Sequence, residues 1–438
     1  MKNAFVYADI DVEIYITLQT GLFTNERYNN KVGKLNKALY GLKQSPRLWY
    51  QYLNRVLKEL GFIICPHDEA VFIQASTGII MIGHVDDFLI FYKNENDLKI
   101  LEETISKSVR LDKIGLPRSF LGHNLTINID TKEIWIDQKD YTQKILKKYG
   151  ILDSWHNKVQ NSMGLYNKPQ QIPGVPGLKL YKNTETATID EVESYQSQIG
   201  SLIFLALKTR PDITFVVNYC ARFMSNPNKD HFLALNRIWN YLIQNPDLGL
   251  YYDCSGDLLL KGYCDADWAA DLVNRKSTTG YLTSLSKDHF NFDSKKGKVR
   301  DTKWNTNIIS WNSKLQNSIA LSTCEAEYYA LREVINELIY LTGFITWIRK
   351  KISIEENKIP TILIDNEAAR KLAENPEFHK KTKHIDLMYH YIREVVSTKK
   401  VSLVHISTTY EIADFLTKNL AYDRFSELKS MANIMRIE

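Results

Sequence analysis

The chain has 438 residues, 44% of them hydrophobic, enough for several domains with cores of their own. Its net charge is +5, with 56 lysines and arginines against 51 acids, a basic lean that is compatible with nucleic acid without requiring it. The five cysteines form no C-x-x-C pair, and no run of about 18 apolar residues, P-loop or G-x-G-x-x-G occurs, which disfavours a disulfide scaffold, a zinc site, a membrane span, a nucleotide-driven motor and a dehydrogenase; a soluble intracellular protein is expected.

In chain order, apolar residues alternate over 12–18 and predict a strand. An element so near the first residue has no partner upstream, which points to a truncated domain. Ser45 and Pro46 predict a helix over 46–60, with Ser45 as its cap and Pro46 in its first turn. Lys34, Lys37, Lys43 and Arg47 interleave there with Tyr40, Trp49 and Tyr50. That pattern suits contact with a nucleic-acid backbone or a nucleotide, and equally a solvated basic face.

The stretch 79–92 organises the first part of the chain. Two apolar runs flank Asp86 and Asp87, and each run reads as a buried strand. Acids within such a run are costly to bury unpaired. A tight hairpin with both acids at its tip resolves the conflict and lets them hold a divalent cation against a phosphate. Taken alone, an Asp-Asp pair is also an ordinary surface turn.

Beyond it the sequence predicts a helix over 97–107, strands over 120–129 and 133–137 with a bend at 121–125, and a helix over 139–149. Residues 151–191, with Pro169, Pro173 and Pro176, read as a linker or long surface loop. Helices are expected over 195–207, 212–224 and 229–244, forming a packing unit without evident chemistry. From 256 to 420 strands and helices alternate as in an α/β domain with a mixed sheet. A charged segment at 287–306 interrupts it as an insertion between two strands of a hairpin, expected to be mobile.

Four acids in this last region stand where an acid is unexpected. Asp265 ends one strand, Asp365 ends another, and Asp414 opens a helical stretch. The fourth is a choice between Glu325 and Glu327. Ser322 to Glu325 reads as a capping box. Residues three and four apart share a helix face, which puts Glu327 with Leu331, Val334 and Leu338 against the sheet and Glu325 with Tyr329, Arg332 and Asn336. Each acid alone is also an ordinary cap or solvated turn. Together at one sheet edge they would repel strongly, and two Mg²⁺ ions would relieve the repulsion and support phosphodiester hydrolysis.

Ordered motifs along almost the whole chain resemble the C-terminal part of a copia-type (Ty1/copia) LTR retrotransposon polyprotein, a reverse transcriptase followed by ribonuclease H. They include Leu-Tyr-Gly-Leu-Lys-Gln-Ser-Pro-Arg-Leu-Trp at 39–49, His-Val-Asp-Asp at 84–87, Thr-Arg-Pro-Asp-Ile at 209–213, Asp-Ala-Asp-Trp at 265–268, Leu-Ser-Thr-Cys-Glu-Ala-Glu-Tyr at 321–328, Asp-Asn-Glu-Ala-Ala at 365–369 and Ala-Asp-Phe-Leu-Thr-Lys at 413–418. The resemblance implies an α+β and α/β multidomain chain. Residues 1–150 would be a truncated fingers and palm, an antiparallel sheet with helices. Residues 192–250 would be a helical thumb or connection, and 256–425 an RNase H-like mixed α/β domain.

The resemblance also implies roles. Asp86 and Asp87 take the place of polymerase acids; Asp265, Glu327, Asp365 and Asp414 take the place of the ribonuclease H carboxylates. Mg²⁺ or Mn²⁺ would be the cofactor. Tyr40, Gly41, Lys43, Gln44, Arg47 and His84 would touch nucleotide or template. An RNA–DNA hybrid, an RNA template and a DNA primer would be the partners, in a cytoplasmic virus-like particle or in the nucleus.

Three departures qualify this. A third polymerase Asp belongs about three residues before Ala4-Phe5, one position ahead of Met1, and Asp9 and Asp11 are out of register with it. Polymerase activity of the chain alone is therefore expected to be weak, unless a missing N-terminal Pol segment or a dimer partner completes it. His84 replaces the family's tip tyrosine. The insertion at 287–306 lengthens the spacing from Asp265 to Glu327. His405 is read as a strand residue rather than a catalytic-loop histidine. The rival to an active ribonuclease is a decayed remnant that binds nucleic acid without turning it over.

Overall fold

The structure, a computed structural model, describes residues 4–17, 31–152, 170–287, 292–293, 298–299, 306–354, 358–375 and 383–437. The chain divides into two units, Met1–Pro117 with Gly343–Asn357, and Arg118–Thr342 with Lys358–Glu438.

In the first unit β1 (Tyr15–Thr17) pairs antiparallel with β2 (Val32–Lys34), so the expected N-terminal strand finds its partner downstream; its last expected residue, Leu18, lies outside the described residues. Helix α1 (Ser45–Glu59) carries Pro46 in its first turn as expected. Ser45 is not its cap. Gln44 takes that position without a side-chain bond, while the Ser45 hydroxyl donates to the Leu39 carbonyl at 2.6 Å and pins the preceding loop. Trp49, Leu53 and Leu57 recur every fourth residue and bury one face of α1 against Phe62, Phe72, Ile79 and Met81. Those residues lie on an antiparallel sheet ordered β3 (Phe62–Cys65), β4 (Asp68–Gln74), β5 (Ile79–His84), β6 (Asp87–Phe91). Helix α2 (Glu95–Ile105), capped by the Asn94 side chain, adds Leu101 and Ile105 to the same core.

The second unit begins with β7 (Ser119–Phe120), β8 (His123–Asn128), β9 (Glu133–Asp137) and α3 (Lys139–Lys148). Leu121 and Gly122, both at positive φ, make the predicted bend. The sequence groups these residues with the N-terminal part, but β9 pairs with β10 (Gly249–Asp253), and this pairing draws 118–148 into the second unit.

Helices α4 (Ile189–Ala206), α5 (Pro211–Ala221) and α6 (Lys229–Gln244) follow, α4 and α6 each opened by a capping box. Residues 153–169 of the expected linker lie outside the described residues. From Gln170 onward the stretch is no free linker, since Ile172 and Leu180 bury into the same core as α4–α6. Asp212 is locked there by Arg210 at 2.8 and 2.9 Å and by the Tyr241 hydroxyl at 2.7 Å.

The mixed sheet runs β15 (Thr306–Leu315), β12 (Thr278–Lys287), β11 (Leu258–Asp267), β16 (Thr361–Ile364), β17 (Ser402–His405), antiparallel on the β15 side and parallel on the β17 side. The insertion does lie between two strands of a hairpin; within it the short β13 (Phe292–Asp293) and β14 (Lys298–Val299) pair with each other, and the rest is outside the described residues. One face of the sheet is covered by α7 (Thr323–Lys351), through Leu331, Val334 and Leu338, with help from α8 (Glu367–Glu374) and α9 (Lys383–Ser397). The other face shares the core of α4–α6. After β17 come a 3₁₀ segment Ile412–Leu416, α10 (Tyr422–Met431) and β18 (Ile434–Met435).

Candidate metal centre and nucleic-acid site

In the first unit, His84 pairs with Asp87 across β5 and β6, leaving Val85 and Asp86 as the turn. The two acids do sit at a hairpin tip. Val85 has φ +54°, a left-handed conformation that a β-branched residue rarely adopts. Strain of this kind persists where neighbours over-determine the backbone. Here the buried Trp49 indole donates to the Val85 carbonyl at 2.9 Å, and the Tyr40 hydroxyl donates to the Asp86 carboxylate. Removal from water, then the Asp86 bond, pushes the Tyr40 hydroxyl up to about 12. Gly41, with φ +97°, supplies the turn behind Tyr40. Arg47 is paired with Asp11, Gln44 stands at the start of α1, and Lys43, His84 and Asp87 are exposed.

In the second unit, carboxylate oxygens of Asp265, Glu327 and Asp365 lie within 4.8 Å of one another. Asp265 comes from the end of β11, Asp365 from just past β16, and Glu327 from the first turns of α7, on the core stripe that helix periodicity assigned to it. Glu325 has the structural role expected, with one change: its carboxylate accepts from the Leu321 amide at 2.8 Å, while the Ser322 hydroxyl accepts from the Glu325 amide at 3.1 Å. Asp265 and Glu327 are only 4% and 6% exposed. Burial, with Asp414 and Asp365 as like charges, raises the Asp265 carboxyl to about 6 despite the opposing pull of Lys418 and Thr417. Burial first, then Asp265 and Asp365, push Glu327 well above the usual carboxylate range.

Asp414 is not among the three. Its carboxylate is held by Lys418 at 2.8 Å and Arg424 at 3.2 Å, and the same Lys418 ammonium lies 3.6 Å from Asp265. The segment carrying Asp414 reaches the sheet because Gly280, the cross-strand partner of Asp265, has no side chain; a Cβ there would meet Thr417 and Leu416 at 2.7 and 2.8 Å. Thr417 donates to Asp265, and Thr408 donates to Asp365 at 2.8 Å. Arg424 also donates to the Thr408 and Thr409 carbonyls, so it joins the supports of Asp365 and Asp414. His405 ends β17, as read, and its ring meets the Asp365 backbone carbonyl at 3.0 Å.

Sequence reasoning missed Glu411. It is fully buried, caps the 3₁₀ segment through the Ala413 amide at 3.0 Å, and is pushed up by burial and by Asp265 and Asp365. The spacing of Lys418 four residues beyond Asp414 was a usable signal for that pair; nothing in the sequence pointed to Glu411 or Arg424.

Comparison with known proteins places the chain. Residues 1–161 match the family described as reverse transcriptase (RNA-dependent DNA polymerase). The retrovirus-related Pol polyprotein from transposon TNT 1-94 of Nicotiana tabacum is 33% identical over 99% of this chain and 30% of its own length. That from transposon RE1 of Arabidopsis thaliana is 31% identical over 100% of this chain and 27% of its own length. Among solved structures, the foamy viral protease-reverse transcriptase dRH in complex with double-stranded DNA aligns over 87% of this chain and 52% of that one, at 13% identity and a TM-score of 0.45. The chain belongs to the Ty1/copia-type retrotransposon Pol family, and it spans less than a third of the length of these curated relatives.

Proposed function

We propose that the second unit hydrolyses the RNA strand of RNA–DNA hybrids with Mg²⁺ or Mn²⁺. The observation that carries this is the convergence of Asp265, Glu327 and Asp365 within 4.8 Å. The donor set fits the ion: every ligand atom is a carboxylate oxygen, which suits hard divalent cations, and Glu327 Oε2 is buried with no hydrogen-bond partner among the described residues. Asp265, Glu327 and Asp365 would hold the metal, with Asp414 beside them. Bound there, a divalent ion would neutralise phosphate charge and favour deprotonation of an attacking water.

The chain's own residues supply orientation. Thr417 and Thr408 each fix one carboxylate oxygen, of Asp265 and Asp365. Lys418 screens Asp265 from Asp414. Hybrid binding would rest on backbone charge and 2′-hydroxyl contacts, hence be salt-sensitive and largely sequence-blind.

The first unit would contribute Asp86 and Asp87 to RNA-directed DNA synthesis, on an RNA template and a DNA primer, within a polymerase whose further acid lies outside this sequence. The test for the nuclease is Asp365→Asn: cleavage of a hybrid in Mg²⁺ is lost and binding is kept. Undiminished cleavage by the variant overturns the assignment. Hybrid binding without cleavage by the unaltered protein favours the decayed remnant.

A further inference from the structure

Beside the carboxylates, large apolar side chains stand in water on a fixed backbone. Trp268 is 45% exposed, Ile319 52% and Leu321 79%. Trp268 lies three residues past Asp265, in the hairpin loop between β11 and β12; Ile319 and Leu321 lie in the loop that leads from β15 into α7 and Glu327. The indole N–H of Trp268 donates to the Ala320 carbonyl at 3.0 Å and ties one loop to the other. Neither loop is slack. The Ala269 amide donates to the Ser277 hydroxyl at 3.1 Å, the Gln316 amide to the Ser277 carbonyl at 2.8 Å, and the Gln316 side chain to the Ala326 carbonyl at 3.0 Å.

We infer that Trp268, Ile319 and Leu321 form a ledge that takes the sugar and base edges of the nucleic-acid strand entering the carboxylate cluster. The inference rests on the hybrid-cleavage reading above and adds the contact that positions the strand. Two observations choose nucleic acid over protein as the occupant. The ledge is built from the two loops that adjoin the strand carrying Asp265 and the helix carrying Glu327. Its hairpin loop also carries Arg275, exposed, and Lys276, partly exposed, which supply the positive charge a phosphate backbone requires. Aromatic and aliphatic faces next to such charge bind bases and sugars without reading sequence. Trp268 is then a positioning residue, and its effect belongs in substrate affinity.

The experiment uses the full chain and a fluorescein-labelled RNA–DNA hybrid. Binding is measured by anisotropy in EDTA, and cleavage kinetics in Mg²⁺. Leu321→Ser and Trp268→Ala are expected to weaken binding at least about fivefold, and the loss appears in KM rather than kcat. Trp268→Phe restores most of the affinity. Unchanged binding in both Leu321→Ser and Trp268→Ala overturns the ledge, as does a loss confined to kcat. A protein that binds hybrid in EDTA but never cleaves it refutes the nuclease and leaves the ledge to be judged on binding alone. One that binds no hybrid refutes both.

Discussion

Replacing Glu327 by Gln should stabilise the metal-free protein and weaken its response to metal. Glu327 sits within 4.8 Å of Asp265 and Asp365, 6% exposed, with Oε2 unpartnered among the described residues. At that distance and an effective dielectric of about 20, each like-charge pair costs about 3 kcal/mol. Part of this is already avoided by protonation, because Glu327 holds its proton well above the usual carboxylate range and Asp265 holds its own to about 6. The amide keeps the shape, removes the charge and can donate to Asp265 or Asp365. The net gain at pH 8 in EDTA is then about 2 kcal/mol.

The pH dependence follows from the same shifts. A carboxyl that binds its proton more tightly folded than unfolded contributes stability that is full in acid and is lost as pH rises through its folded value. The unaltered protein therefore loses stability in EDTA as pH rises from about 4 through 6 and beyond, and Glu327→Gln loses less. Thermal unfolding in EDTA at pH 5 and pH 8, then with Mn²⁺, reads all of this. The variant should melt several degrees higher than the unaltered protein at pH 8, with a smaller difference at pH 5, and gain less from Mn²⁺. A variant less stable in EDTA at both pH values would refute the reasoning.

Other changes probe other parts. Arg424→Met removes the donors to the Thr408 and Thr409 carbonyls and to Asp414; Mn²⁺ affinity by calorimetry should fall about ten- to a hundredfold, and an unchanged affinity contradicts the supporting role. Val85→Asn relieves a left-handed β-branched residue and should raise first-unit stability by about 1 kcal/mol in urea unfolding, whereas destabilisation would mean the valine side chain, not its backbone, holds the tip. Arg210→Met leaves Asp212 buried without its cation and should cost about 3–5 kcal/mol by chemical denaturation; a near-neutral result contradicts it.

Local signals were readable where one element carries them. The hairpin at 79–92, the bend at Leu121-Gly122 and the preference for Glu327 over Glu325 all follow from period and turn chemistry. What stayed hidden depends on pairing between distant segments. Nothing near Trp135 announces that β9 will join β10, so the sequence leaves 118–148 with the N-terminal part while its packing lies in the second unit. The prolines around Ile172 read as a linker because a buried loop and an exposed one share composition. Ser45 looked like a cap, yet its hydroxyl bonds backward to Leu39. Glu411 and Arg424 escaped because their importance comes only from what the fold sets beside them.

The most direct measurement is strand-resolved cleavage of an RNA–DNA hybrid carrying a different label on each strand, compared with double-stranded DNA, in Mg²⁺ and in EDTA. Cleavage of the RNA strand alone, abolished by EDTA and by Asp365→Asn, is the predicted result. Cleavage that survives either change, or that falls on the DNA strand, would contradict a divalent ion held by Asp265, Glu327 and Asp365.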